Sequence, residues 1–493
     1  MLEQYFEKFR EQVIGNRQKF DTPYGEQTIV YADWTASGRL YEPIEKVLLK
    51  EIAPFVGNTH TETSVTGSIM TKAYHEALYI IKKHVNASKE DIIISSNSGM
   101  TGVVNKLQRI LGMKVHEKHY KYFTLPEDDR PVVFLTHMEH HSNQTTWLET
   151  IADVVVVPAD ENGLFSLYLF DETVKKYSDR KLKITSVTAC SNVTGIKTPF
   201  HQIAEIIHNY GGYCFVDFAC SAPYVEIDMH PENLAQSLDA VFFSPHKFLG
   251  GPGSTGVLVF NRKLYSNKVP DNPGGGTVDW TNPWGGHKYV DDIEAKEDGG
   301  TPAFLQTIRA ALSIRLKEEM GVEKMLEREE EILDIIWPEL TKAPKLHILA
   351  KHVRQRLGII SFYLEEMHYN LAVRILNDRF GIQVRGGCSC AGTYGHFLLN
   401  VDPNRSKNIT DKISCGDLSE KPGWVRMSIH PVMSDEEAKY IAKSISELAE
   451  NQAEWAKDYE YNPLTNEYAH KNKVEVEDQM VDQWFGKKSV VQM

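Results

Sequence analysis

Lys247 lies in Ser244-Pro245-His246-Lys247-Phe248-Leu249-Gly250, directly after the apolar run Asp239-Ala240-Val241-Phe242-Phe243. Thirty residues earlier a second apolar run, Tyr213-Cys214-Phe215-Val216, ends in Asp217. An amine and a carboxylate at the ends of neighbouring strands suit pyridoxal 5'-phosphate. The amine forms a Schiff base with the aldehyde, and the carboxylate keeps the pyridine nitrogen protonated so that the ring can accept electrons. A lone lysine after a buried strand is more often a surface residue, so this reading depends on what accompanies it.

Three further segments carry compatible chemistry. Ser96-Asn97-Ser98-Gly99-Met100-Thr101-Gly102 runs from a strand into a helix. Its small residues let backbone N–H groups at Gly99, Met100 and Thr101 face an anion, and the helix dipole favours negative charge there. Ser244 and His246 flank the lysine and can add donors to the same phosphate. In Glu139-His140-His141-Ser142-Asn143 an imidazole can stack on a flat ring and move protons. The Asn192 amide, in Ser191-Asn192-Val193-Thr194-Gly195, can reach a phenolic oxygen, although Asn and Gly are also turn residues.

These groups need a frame. Near-continuous apolar runs at 92–95, 132–135, 154–157, 184–187, 213–216, 239–243 and 257–260 alternate with amphipathic helical stretches. That pattern predicts an α/β fold whose mostly parallel sheet is covered on both faces. Ligands bind beyond the carboxyl ends of such strands, where the candidate groups fall. After a Pro/Gly-rich interruption at 270–277, the segment over 302–340 is expected to be helical. A strand–helix–strand pattern, a polar loop over 392–422, a strand at 424–429 and a helix from 435 follow. The division expected is a large cofactor-binding domain over 28–300, a smaller α+β domain from 1–27 with 301–457, and a C-terminal extension over 458–493 without clear period.

With 493 residues, 42% apolar and 25% charged, the chain can bury a large core. Its net charge of −13 argues against nucleic acid as a partner. The charged amphipathic start lacks the apolar stretch of a secretory signal, and no segment has the length and apolarity of a membrane span, so a cytoplasmic location is expected. Six cysteines are too few for a disulfide scaffold, and Cys190 and Cys214, in apolar runs, read as inert core thiols.

Taken in order, Tyr31-Ala32-Asp33, Asn58-Thr59-His60, Gly99-Met100-Thr101, Glu139-His140-His141, Ser191-Asn192-Val193-Thr194-Gly195, Val216-Asp217, Ser244-Pro245-His246-Lys247, Gly274-Gly275-Gly276-Thr277, Gly300-Thr301-Pro302, Arg385-Gly386-Gly387-Cys388-Ser389-Cys390-Ala391 and Arg426 resemble the motifs of class V aminotransferase-fold enzymes. The type they resemble most is the cysteine desulfurases and selenocysteine lyases. The resemblance implies a fold-type I pyridoxal-phosphate enzyme with a large seven-stranded domain, acting as a homodimer with active sites at the subunit interface. It further implies Lys247 as the Schiff-base lysine, Asp217 on the pyridinium nitrogen, His140 on the ring and Asn192 on the phenolic oxygen. Thr101, Ser244 and His246 would hold the phosphate, with Thr277 reaching in from the partner subunit. Arg426 would clamp the substrate carboxylate, Asn58 and His60 would line the substrate side, and Arg385 would stand near the reactive cysteine.

The desulfurase pattern Arg-x-Gly-x-x-Cys-Ala falls on Arg385, Gly387, Cys390 and Ala391. It implies Cys390 as the nucleophile that takes sulfur from L-cysteine, or selenium from L-selenocysteine, as a persulfide or its selenium counterpart, leaving alanine and passing the atom to an acceptor protein. Cys388 could relay sulfur, form a resting disulfide or have no role. Metal binding by Cys388, Cys390, His396 and Cys415 lacks paired-ligand spacing, so no metal is expected. Two departures from the pattern stand out. Cys220 occupies a position where desulfurases carry Gln or His, and the 392–424 segment is longer than in compact members. The alternatives are another class V reaction (transamination, epimerisation or C–S cleavage of a larger amino acid) or a non-catalytic binding protein on the same fold.

Overall fold

The computed structural model describes residues 2–59, 61–474 and 476–486. Its centre is a seven-stranded sheet. From one edge the order is Asp91–Ser96, Gly256–Asn261, Ala240–Phe243, Tyr213–Asp217, Lys183–Thr188, Val132–Leu135 and Asp153–Val156. Only Gly256–Asn261 runs antiparallel to its neighbours. The apolar runs form strands because both faces are covered: Phe134, Phe215, Val216, Val241 and Phe242 are wholly buried. Burying each such side chain contributes about 1.5–3 kcal/mol. One consequence is decisive for the site. The parallel strands all end on the same side, so the loops after Ser96, Leu135, Thr188, Asp217 and Phe243 converge there.

A second sheet lies C-terminal to it, with antiparallel order Leu346–Ile348, Ile359–Leu364, Trp424–Ser428, Arg385–Gly387. Helices Val322–Lys342, Tyr369–Phe380 and Asp435–Trp455 share one apolar core with it. The N-terminal helix Leu2–Arg10 buries Phe6 and Phe9 in that same core. The chain then returns through Val30–Tyr31, which pairs in parallel with Ile382–Gln383 and carries Asp33 alongside Ser428 of the second sheet.

One expectation is corrected, that of a loop over 392–422, and two are made more definite. The helical segment over 302–340 is two helices, Phe304–Met320 and Val322–Lys342, broken at Gly321, whose φ of 77° only glycine adopts without strain. The 392–422 stretch is not a loop but contains helices Gly392–Leu398 and Pro403–Ser414. Asp402 caps the second, its carboxylate accepting from the Asn404 and Arg405 N–H groups, with Pro403 in the first turn. The apolar periodicity there is faint because Ile409 alone is buried in that helix. The tail has structure too: a hairpin of Tyr459–Asn462 and Glu467–His470 is tied to the body through Asp458, which accepts from Tyr24 and Arg379, and helix Val476–Phe485 follows. Residues 487–493 lie outside the described residues.

Candidate active site

The converging loops enclose a cavity of about 430 Å³, within the range of small-molecule sites. Lys247 and Asp217 both line it. Asp217 closes the Tyr213–Asp217 strand, is 2% exposed, and accepts from the Ala219 N–H at 2.7 Å. Burial pushes its pKa up to about 6, against the pull of that N–H and of Lys247. Burial lowers the pKa of Lys247, which favours the neutral, nucleophilic amine.

One wall is the start of helix Gly99–Ile110. Its own N-cap residue, Ser98, makes no side-chain cap. Instead the Ser244 Oγ accepts from the Met100 N–H at 2.8 Å, and the Thr101 and Ser142 hydroxyls meet at 2.6 Å. Gly99 turns into the helix at φ 60°, and strand Gly256–Asn261 passes so close beneath that a Cβ on Gly256 would lie 2.1 Å from the Gly99 carbonyl oxygen. Backbone N–H groups, hydroxyls and a positive helix end thus face one volume. Ser254 also lines it, and its Oγ is buried without a partner among the described residues.

His140 is the N-cap of helix His141–Leu148, and its Nδ1 accepts from the Ser142 N–H at 3.1 Å. That bond places the ring proton on Nε2. Burial, with the charge of Lys247, lowers its pKa to about 3, so the ring is neutral; His246 is lowered to about 4 for the same two reasons. Behind His140, Glu139 is fully enclosed. It accepts from Thr136, Asn143 and the Thr188 N–H, and burial pushes it up to about 7.

Arg385 and Arg426 stand directly opposite each other on neighbouring strands. Like charges in that register repel. Asp33 resolves this, with Oδ1 on Arg426 Nη2 at 2.9 Å and Oδ2 on Arg385 Nε at 3.1 Å. Two guanidiniums and one carboxylate leave one positive charge uncompensated. The Arg426 Nε–H is buried without a partner among the described residues, a donor suited to an anion.

Cys390 lines the same cavity, one residue before Ala391 and helix Gly392–Leu398. Ser389 and Cys390 have φ of 51° and 56°, a left-handed conformation costing non-glycine residues about 1 kcal/mol or more each. The Asn192 Nδ2 donates to the Ser389 carbonyl at 2.7 Å, so this amide is directed at the cysteine segment, and its Oδ1 is buried without a partner among the described residues. Cys220 also lines the cavity and donates to the Cys190 carbonyl at 2.9 Å. Cys190 and Cys214 are fully buried.

Two of the expected residues, Thr277 and Asn58, do not line this cavity. Thr277 is buried in its own turn, donating to the Gly274 carbonyl at 2.7 Å. Asn58 is exposed, and His60 lies outside the described residues. No group of three or more His, Cys, Asp or Glu able to hold a metal occurs among the described residues. His396 is engaged by the Gly392 carbonyl and the Ser406 hydroxyl. Asp33 and Ser142 join the site without a local sequence signal: nothing near Asp33 in the chain ties it to an arginine 393 positions away.

A family model described as aminotransferase class-V matches residues 30–441. The chain is 28% identical over 368 residues to a probable cysteine desulfurase of Halalkalibacterium halodurans, covering 74% of this chain and 84% of that protein. It is 29% identical over 386 residues to a probable cysteine desulfurase of Staphylococcus epidermidis, covering 75% and 86%. Two solved structures share its fold. One is an apo cysteine desulfurase from Thermococcus onnurineus (TM-score 0.70, 21% identity, 90% of this chain and 98% of that one). The other is a cysteine desulfurase from Escherichia coli in an S-sulfonic acid form (TM-score 0.69, 20% identity, 90% and 98%). The α/β fold with a mostly parallel seven-stranded sheet, expected from the sequence, is the fold these structures share.

Proposed function

Because the chain belongs to the class-V aminotransferase family, whose members use pyridoxal 5'-phosphate, we propose that it is a cysteine desulfurase that takes sulfur from L-cysteine and leaves alanine. L-selenocysteine is a second substrate of the same chemistry. The observation that carries this reading is the presence of Cys390, Lys247, Asp217 and Arg426 in one cavity.

The residues fit the cofactor. A buried carboxylate that burial alone has pushed up to about 6 suits a cationic ring nitrogen, which would restore its charge. The start of helix Gly99–Ile110, with Thr101, Ser142, Ser244 and His246, suits a phosphate, and neutral His140 suits a ring face. When bound, the cofactor draws electrons from the carbon attached to the substrate amine.

The protein's own groups do the rest. Arg426 binds the substrate carboxylate through its free Nε–H and the charge that Asp33 leaves uncompensated. Lys247 in its neutral form moves the proton at the substrate's α carbon. The Cys390 thiolate attacks the substrate sulfur: an S–S bond forms and the Cβ–S bond breaks. The electron pair stays on Cβ, which takes a proton to become the methyl group of alanine. His140 assists these transfers, its proton on Nε2 because Nδ1 accepts from Ser142. Asn192 holds the Ser389 carbonyl and so sets where the sulfur points.

The reading includes a homodimer in which Thr277 serves the partner's cavity, a protein acceptor for the sulfur, and a cytoplasmic setting. Among the described residues no helix is long and apolar enough to cross a membrane. The test is turnover. With L-cysteine the cofactor-loaded protein should yield alanine and a sulfide-releasable persulfide, and Cys390→Ser should abolish both. An oxoacid, or alanine formation unchanged in Cys390→Ser, would replace the proposal with another reaction of the family.

A further inference from the structure

The first turn of helix His141–Leu148 carries His140 into the cavity, and it also grips the segment that holds Cys390. The His141 backbone N–H donates to the Cys390 carbonyl at 2.7 Å. The Gly392 N–H donates to His141 Nε2 at 2.9 Å. One turn on, the Thr393 hydroxyl donates to Gln144 Oε1 at 2.9 Å. Before Cys390, Asn192 and Trp424 hold Ser389 through its carbonyl at 2.7 Å and its hydroxyl at 3.1 Å. Cys390 is therefore pinned from both sides while its backbone stays at φ 56°. Such a conformation persists only where neighbouring contacts over-determine it.

Among these contacts the His141 imidazole has a distinct place. It accepts the N–H of Gly392, two residues past the cysteine, and a Cβ at Gly392 would lie 3.1 Å from the same nitrogen. Accepting at Nε2 leaves the proton on Nδ1, so the ring works in its neutral form. Burial, with the charge of Lys421, lowers the pKa of His141 and favours that form.

We infer that His141 is a positioning residue for Cys390, its imidazole fixing the far end of the nucleophile segment so that the sulfur faces the cavity from one backbone conformation. The inference rests on the reading of Cys390 as sulfur acceptor, but the tether itself has a separate readout.

The test compares cofactor-loaded wild type with His141→Phe, which keeps a ring and removes the acceptor, and with His141→Gln, whose side-chain oxygen can accept in its place. Amide hydrogen exchange is followed for the 388–393 segment, Cys390 alkylation by iodoacetamide is followed by tandem mass spectrometry, and kcat and KM are measured with L-cysteine. In His141→Phe, exchange at Gly392 and alkylation of Cys390 should rise at least tenfold. There kcat should fall tenfold or more, with KM and cofactor absorbance unchanged; His141→Gln should recover most of each change. Unchanged exchange and alkylation in a His141→Phe protein of wild-type thermal midpoint would overturn the inference. So would faster exchange with undiminished kcat. If the wild type does not turn over L-cysteine, the proposed function fails, and the exchange comparison still decides whether the tether exists.

Discussion

Arg426→Met gives a quantitative test of substrate recognition. Arg426 is 3% exposed, its Nη2 is held by Asp33 and its Nη1 donates to the Asn192 carbonyl at 3.2 Å. Its Nε–H has no partner among the described residues. A substrate carboxylate there gains that donor and the charge left over from the pairing of two arginines with one aspartate. A hydrogen bond to a charged group is worth about 1.5–3 kcal/mol. At the upper value that single bond gives about 3 kcal/mol, or about 150-fold in kcat/KM. Methionine keeps most of the volume, and Asp33 retains Arg385, so the half-buried carboxylate is not left alone. The assay compares L-cysteine with cysteamine, which lacks the carboxylate, in a double cycle. Wild type should prefer L-cysteine by about two orders of magnitude more than the variant does. An equal preference in the two proteins would refute the assignment of Arg426 as the carboxylate clamp.

Two further outcomes follow from the geometry. Asp217→Asn should retain cofactor but lose about 10- to 100-fold in kcat, as expected for removing one charged hydrogen bond; steady-state kinetics at matched cofactor occupancy check this, and an unchanged kcat would count against the ring-nitrogen role. Elsewhere, burial opposes protonation of His208, but its hydrogen bond to Asp239 at 2.8 Å and that carboxylate's charge outweigh burial and raise its pKa above 6.5. The stability this supplies is complete below 6.5 and is lost as pH rises through the higher folded-state value. Urea midpoints measured from about pH 6 to pH 9 should therefore fall more steeply in wild type than in His208→Gln.

The chemistry was legible wherever one local pattern carried it. Lys247 and Asp217 stand at the ends of apolar runs, and the strands that buried those runs brought the two ends together. The Ser98-Gly99 turn is likewise a local signal. What depended on long-range pairing was not legible. The opposed Arg385 and Arg426 need the register of two strands, and Asp33 reaches them only because Val30–Tyr31 pairs with Ile382–Gln383. Asn192 lines the cavity as expected, and its bond to Ser389, nearly two hundred positions away, has no local signal. The helices within 392–422 escaped notice because they lie mostly on polar surface, where periodicity is weak; a capping aspartate before a proline, Asp402-Pro403, was the available signal.

The most direct measurement is reduction of the cofactor-loaded protein with borohydride followed by peptide mapping. A pyridoxyl group on Lys247, and on no other lysine, is the expected result. A modified lysine elsewhere, or cofactor-replete protein with an unmodified Lys247, would contradict the assignment on which the site and its chemistry rest.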